Sequence, residues 1–294
     1  MRAPASLLTI LLLAALGTAT VSHAGTATGV SGLYYTGTNN SGATLSGGSV
    51  DPHWDVVYAQ VAGNYYYGNS TYTGDAYVVS GSYIDGAWVP NSSTSKWIVP
   101  PGAQTSNGTV NIGGDLLPGN GNTGTNEAIY VYQLAFTITG TGNAGDAVGN
   151  QVSISLTIAA DDQYTIYVNP TVSGNTITSQ SAGSRANAWN NTSAEYLQNY
   201  SGNGHNANSN FVIGTNYIWV VVDNTNSING ASNSTALNPS GLLVYQVGSA
   251  VVISNTPIPE VGTVLPVVGA LGLFGLRFIR RRFGADVAIS PASV

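Results

Sequence analysis

The stretch AIYVYQLAFTIT, Ala128–Thr139, decides the fold. Tyr130, Tyr132, Leu134, Phe136 and Ile138 recur at every second position, the period of a strand that buries one face. Gln151–Ala159 repeats the pattern: Val152, Ile154, Leu156 and Ile158 fall on one side, and Ser153, Ser155 and Thr157 on the other. Alternating hydroxyls mark a strand with one wet face. Asn216–Asp223 is apolar at Tyr217, Ile218, Trp219, Val220, Val221 and Val222, hence on both faces, which predicts a central strand. Shorter candidates are Leu33–Thr36, Trp54–Val61, Ala76–Ser80, Thr109–Ile112, Tyr164–Val168 and Leu242–Val247. Ser193–Tyr200 suits either a short helix or an edge strand. Asn/Gly/Ser-rich segments such as Gly113–Thr125 and Gly202–Ser209 read as loops. Nine or more strands with such turns between them predict one large all-β domain, a two-sheet β-sandwich.

Composition agrees. Only 7% of the 294 residues are charged, against about 25% in an ordinary domain. With 43% hydrophobic residues and 17 Tyr, the chain is no disordered polymer. Its basic residues cluster at the ends: Arg2 at one, and Arg277, Arg280, Arg281 and Arg282 at the other. The body between them holds just Lys96 and Arg185 against eleven acids, a net charge of −9. A body so poor in cations excludes nucleic-acid binding, which needs a basic stripe. There is no cysteine, so neither disulfides nor thiolate metal sites are available.

Residues 1–24 read as a secretory signal: Arg2, then the apolar run Leu7–Leu16, then Ser22-His23-Ala24, with cleavage expected between Ala24 and Gly25. At the other end, Val261–Leu276 is uncharged and is followed by Arg277, Phe278, Ile279 and Arg280-Arg281-Arg282. With Arg277 snorkelling, one transmembrane helix over about residues 261–279 is expected. The Arg triplet would then stay cytoplasmic and the acidic body outside.

Pro257-Ile258-Pro259-Glu260 stands before this span. The Pro-Glu pair, the short Gly-rich span and the terminal Arg cluster resemble the PEP-CTERM sorting signal, in a Pro259-Glu260-Val261-Gly262-Thr263 variant with a long tail to Val294. The resemblance implies recognition by an exosortase-type membrane transpeptidase of Gram-negative bacteria that make extracellular polysaccharide. It also implies an inner-membrane-anchored intermediate, then sorting to the cell surface or matrix. On this division residues 25–256 form the extracellular domain and 257–294 the sorting segment.

The body carries a second resemblance. Asp51-Pro52-His53-Trp54, the segment Trp88–Ile98, Tyr132–Gly140, Ala159-Ala160-Asp161-Asp162, Gly214-Thr215-Asn216 and Asn238–Leu242 are similar, in order and spacing, to a module common in proteins with this sorting signal. The match runs from about Val50 to Val247. It implies a galactose-binding-like jelly roll of the kind many carbohydrate-binding domains use. The sequence departs from the module at Val168-Asn169-Pro170, where Asn-Gly is usual, and at Ser240, where Thr is usual.

Catalytic chemistry is hard to assemble from these residues. Two GxGxxG matches, at Gly119–Gly124 and Gly140–Gly145, are followed by strands rather than the helix a phosphate cradle needs. The body's only histidines are His53 and His205, and no GxSxG elbow occurs. His53, beside Trp54, is expected to pack or hydrogen-bond at a strand start. Asp161-Asp162 either caps the turn between Ile158 and Tyr164 or offers hard oxygen ligands to Ca²⁺, the one cofactor the sequence leaves open. Tyr66, Trp88, Trp97 and Trp189, flanked by polar residues, are candidate glycan contacts as well as candidate core. The sequence therefore predicts a non-enzymatic, exported β-sandwich that associates with extracellular polysaccharide and binds glycan. A structural matrix or adhesion protein without a specific ligand is the alternative, and a polysaccharide-active enzyme a third.

Overall fold

A computed structural model describes residues 24–61, 64–66, 73–79, 88–101, 128–161, 163–173, 175–186, 188, 190–201, 207–224 and 240–250. From Gly25 on they belong to one compact unit. The elements are all strands: β1 Thr26–Ser31, β2 Val50–Val61, β3 Asn64–Tyr66, β4 Gly74–Val78, β5 Ile98–Val99, β6 Ala128–Thr141 and β7 Ser153–Asp161. Then come β8 Gln163–Val168, β9 Val172–Ser173, β10 Thr176–Ile177, β11 Gly183–Arg185, β12 Ser193–Gln198, β13 Gly214–Asn224 and β14 Gly241–Ala250. No α-helix occurs among the described residues, and no helix there is long and apolar enough to cross a membrane.

Twelve of these strands form one continuous sheet in the order β11-β8-β13-β6-β2-β4-β5-β14-β7-β12, with β1 also on β6 and β3 also on β2. Strands β9 and β10 form a separate small hairpin. Instead of two unconnected sheets, the ladder runs through β4 and β5 from one half to the other and comes back nearly on itself. The ends of the order, β11 and β12, lie beside each other. Bulges at Thr28 in β1, Val57 in β2 and Tyr245 in β14 sharpen this curl, because an extra residue bends the strand that carries it.

The core fills the interior. Trp54 and Val56 of β2, Leu134 and Phe136 of β6, and Ile218 and Val220 of β13 meet Ile154, Leu156, Leu242 and Val244 from the opposite half, all essentially without solvent exposure. Each such side chain contributes about 1.5–3 kcal/mol on burial. The alternation in Ala128–Thr139 and Gln151–Ala159 is thus realised as inward apolar and outward polar positions. Ser193–Tyr200 proves to be an edge strand, β12. Leu33–Thr36 is not a regular strand, although Thr36 exchanges backbone hydrogen bonds with Val244 and Lys96. Strand β13 is central, pairing with β6 and β8. Its two faces differ, however: Ile218, Val220 and Val222 are buried, while Tyr217 is exposed and Trp219 half-exposed. Thr109–Ile112 lies outside the described residues.

The near-closure has its own chemistry. Glu195 of β12 accepts a hydrogen bond from the Tyr164 hydroxyl of β8 at 2.6 Å. Its carboxylate lies over Gly183 of β11, in the space a Cβ there would take. The Asn208 amide donates to Ala182 O at 2.7 Å and to Tyr196 O at 3.4 Å, bridging both sides. Burial and this carboxylate together push the Tyr164 hydroxyl well above the ordinary tyrosine value, so it remains a donor at any ordinary pH.

Candidate functional site

The two outward faces of the sheet are finished differently. Over β4, β5, β14 and β7 a second apolar cluster forms outside the main core, from Val79, Trp88, Trp97, Val99, Ala159 and Leu243. The Trp88 and Trp97 rings meet at 4.2 Å. Gly241 makes room for both, since a Cβ there would come within 3.0 Å of Trp88 and 3.1 Å of Trp97. The polar residues between the two tryptophans bind the segment to itself. Asn91 Oδ1 accepts from Trp97 N at 2.8 Å, the Trp97 indole donates to Val89 O at 2.7 Å, and Ser92 Oγ accepts from Ser95 N at 2.8 Å. Trp97 is fully buried and Trp88 6% exposed. Neither presents a ring face to a sugar, so the glycan contact expected of them is corrected to packing.

The other face, over β2, β6, β13 and β8, mixes apolar outward residues such as Val131 and Val221 with polar and aromatic ones. Pairing register places one residue from each strand in a straight row: Asp75 of β4 opposite Asp55, Asp55 opposite Gln133, Gln133 opposite Trp219, and Trp219 opposite Tyr167. Four strand spacings make the row about 19 Å long. Asp75 is exposed and the other four are half-buried. Tyr217, 40% exposed, stands two residues from Trp219 on the same face.

The row is internally organised. The Trp219 indole donates to Gln133 Oε1 at 2.8 Å. With that oxygen engaged, the NH₂ group is what Gln133 still has to offer. Asp55 and Asp75 face each other across the β2–β4 pair; burial first, then the neighbouring carboxylate, raises Asp55 above the ordinary carboxylate range. The row thus brings an indole, an amide and two carboxyl groups together on neighbouring strands.

Asn169 supports the end of this face. It takes the left-handed conformation, φ 45°, which Asn tolerates better than most residues. Its side chain accepts from Tyr217 N at 2.8 Å and donates to Asn216 Oδ1 at 2.8 Å and Asn210 O at 2.7 Å. Asn216, fully buried, ties the Gly214 turn through Val212 and Gly214. The Gly214-Thr215-Asn216 motif is thus a turn lock.

Other expected residues lie as follows. Tyr66 is in β3, paired through its backbone to Ala59, and its side chain is outside the described residues. So are Trp189, Asp162 and the sorting residues Pro259, Glu260, Val261, Gly262, Arg280, Arg281 and Arg282, with the span over 261–279. Gly25 has entered the sheet, donating to Ala147 O at 2.8 Å and accepting from Gly149 N at 2.7 Å. Asp161 closes β7 opposite Gly241 and is 5% exposed, and among the described residues no group of three or more potential ligands assembles to hold a metal ion. His53 stacks on Tyr34, ring centroids 3.5 Å apart and nearly parallel, and burial holds it below the ordinary histidine value. The row Asp75–Asp55–Gln133–Trp219–Tyr167 was not among the sequence candidates. Its signal was there in part, since Asp55 and Gln133 interrupt apolar strands at outward positions, but cross-strand register is not written in any one strand.

No protein-family model, curated protein or solved structure matches the chain.

Proposed function

We propose that this is an exported, non-enzymatic surface protein that binds glycan through the β2–β6–β13–β8 face of its sheet. The reading rests on one observation, the row in which Trp219, Gln133 and the Asp55–Asp75 pair stand side by side between Tyr167 and solvent. An aromatic face stacks on the apolar side of a sugar ring while the amide and carboxylates take its hydroxyls. A body of net charge −9 disfavours polyanions, so the ligand is a neutral polysaccharide. The PEP-CTERM-like end supports export through an inner-membrane intermediate, processing by an exosortase-type transpeptidase, and residence among extracellular polysaccharide. The jelly-roll likeness of the body belongs with the same reading.

A glycan array probed with the purified protein tests the binding. Neutral glycans should be retained by the protein and lost by Trp219→Ala, with the fold intact by circular dichroism. Absence of binding above background, with and without Ca²⁺, would leave the structural-matrix role in its place. Replacing Pro259-Glu260 by Ala-Ala and fractionating cells tests the sorting. Unchanged processing and surface release would overturn that part.

A further inference from the structure

Asp51 is buried completely, yet neither the core nor that face uses it as a charge. Three main-chain groups grip its carboxyl: Gly37 N donates to Oδ2 at 2.6 Å, and His53 N and Trp54 N donate to Oδ1 at 2.9 and 3.2 Å. The ring closed by the His53 bond encloses the Asp51–Pro52 peptide, so the carboxyl is held on the same turn as the peptide bond that follows it. That peptide lies in a gap in the ladders. The β2–β4 register breaks between Val50 and Asp55, and β2–β6 pairing begins only at Trp54. Pro52 has no N–H to lose from the ladder and is exposed. It is the only Asp–Pro in the chain.

We infer that Asp51–Pro52 is a self-cleavage site, at which the Asp51 carboxyl cuts the peptide bond on its own C-terminal side. One carboxyl oxygen attacks the Asp51 carbonyl carbon. The bond to Pro52 N breaks, and the carboxylic proton passes to that nitrogen, which leaves as a secondary amine. The five-membered anhydride so formed takes up one water and becomes a C-terminal aspartate. Water supplies the only co-reactant, and no electrons are transferred. A pre-positioned nucleophile replaces an encounter with an intramolecular step.

The neutral carboxyl furnishes both oxygen and proton. Burial, outweighing the three N–H bonds, raises Asp51 to about 6, so mild acid populates the reactive form. The groups around it are His53 stacked on Tyr34, Asp55 along β2, Asp75 against Asp55, and Lys96, whose main chain packs on Gly37 and whose amine is bound to Leu45 O. After the cut, β1 remains paired to β6 and Thr36 to Val244, so the two pieces stay together as one folded, nicked molecule.

The test incubates the purified full-length chain and follows intact mass and N-terminal sequence. A new chain beginning at Pro52 should appear, at least about tenfold faster near pH 5 than near pH 8. It should also form at least about tenfold faster in the folded protein than in the same chain unfolded in urea at equal pH. Pro52→Ala, at an exposed position, should stay folded and give no cut, and Asp51→Glu, which needs a larger ring, should slow it at least about tenfold. No Pro52 terminus from folded protein over days near pH 5, or equal rates folded and unfolded, overturns the proposal. A Pro52→Ala protein that is cut as fast as the wild type overturns it too.

Discussion

Two tryptophans at the residue scale show how burial separates structure from function. Trp97 is wholly buried with its indole bonded to Val89 O, and Trp97→Ala should cost about 3–5 kcal/mol of unfolding free energy. Trp219, half-exposed on the outward side of β13, should cost well under half of that while abolishing glycan retention. Urea denaturation beside the glycan array checks both; equal stability losses would deny Trp219 its surface role. Asp51 sets a pH dependence. Its folded value of about 6 exceeds the ordinary 3.8, so the fold favours the protonated form. Stability from this group is full below the ordinary value and is lost as pH rises through about 6, by on the order of 3 kcal/mol. Asp55, also raised, runs the same way. His53, lowered from 6.5, runs oppositely and loses stability as pH falls below that value. Thermal unfolding of freshly purified Asp51→Asn should therefore show less gain on acidification from about pH 7.5 to about pH 5.5 than the wild type. An identical pH profile would refute the assignment.

At the scale of elements, strand identity was legible and strand placement was not. Period-two alternation located β6, β7 and β8, because an inward face must be apolar along its whole length. It also placed β13 as a central strand, as its pairing with β6 and β8 shows, although the outward tyrosine and tryptophan stay partly exposed. The reason is physical: aromatic rings are amphipathic and occupy outward sheet positions as well as cores, so residue type alone did not set the exposure of Tyr217 and Trp219. The polar flanks of Trp88 and Trp97 misled in the reverse direction, since Asn91, Ser92 and Ser95 spend their side chains on the local backbone. Register, which assembles Asp55, Gln133 and Trp219, depends on partners far apart in sequence. The near-closure is equally non-local, and its weight can be measured. Glu195→Ala leaves the Tyr164 hydroxyl without its acceptor and should cost about 1–3 kcal/mol, whereas Glu195→Gln keeps an acceptor and should cost under about 1 kcal/mol. Hydrogen exchange should quicken in β11 and β12 first. Uniform loss of protection across the sheet would show that the closure is not a separate unit.

For the molecule as a whole, the distribution of charge decides what approaches it. An acidic body with two cations repels anionic polymers at low salt. Retention of neutral glycan should be nearly independent of ionic strength, whereas any binding of an anionic polysaccharide should require a divalent cation and vanish with chelator. Affinity chromatography across salt concentrations reads this directly. Strong salt-sensitive binding of a polyanion without metal would contradict it.

The same two cations have a consequence for proteolysis. A trypsin-like protease needs lysine or arginine in an extended, accessible segment, and residues 25–256 hold only Lys96 and Arg185. Lys96 is half-buried, its amine drawn onto Leu45 O, and it lies in the segment that packs Trp97 against the sheet. Arg185 ends β11, its guanidinium donating to Thr192 O across the closing edges. Both cutting points are thus partly withheld, and the folded body should be cut by a trypsin-like protease more slowly than the same chain unfolded in urea, without any disulfide to hold it.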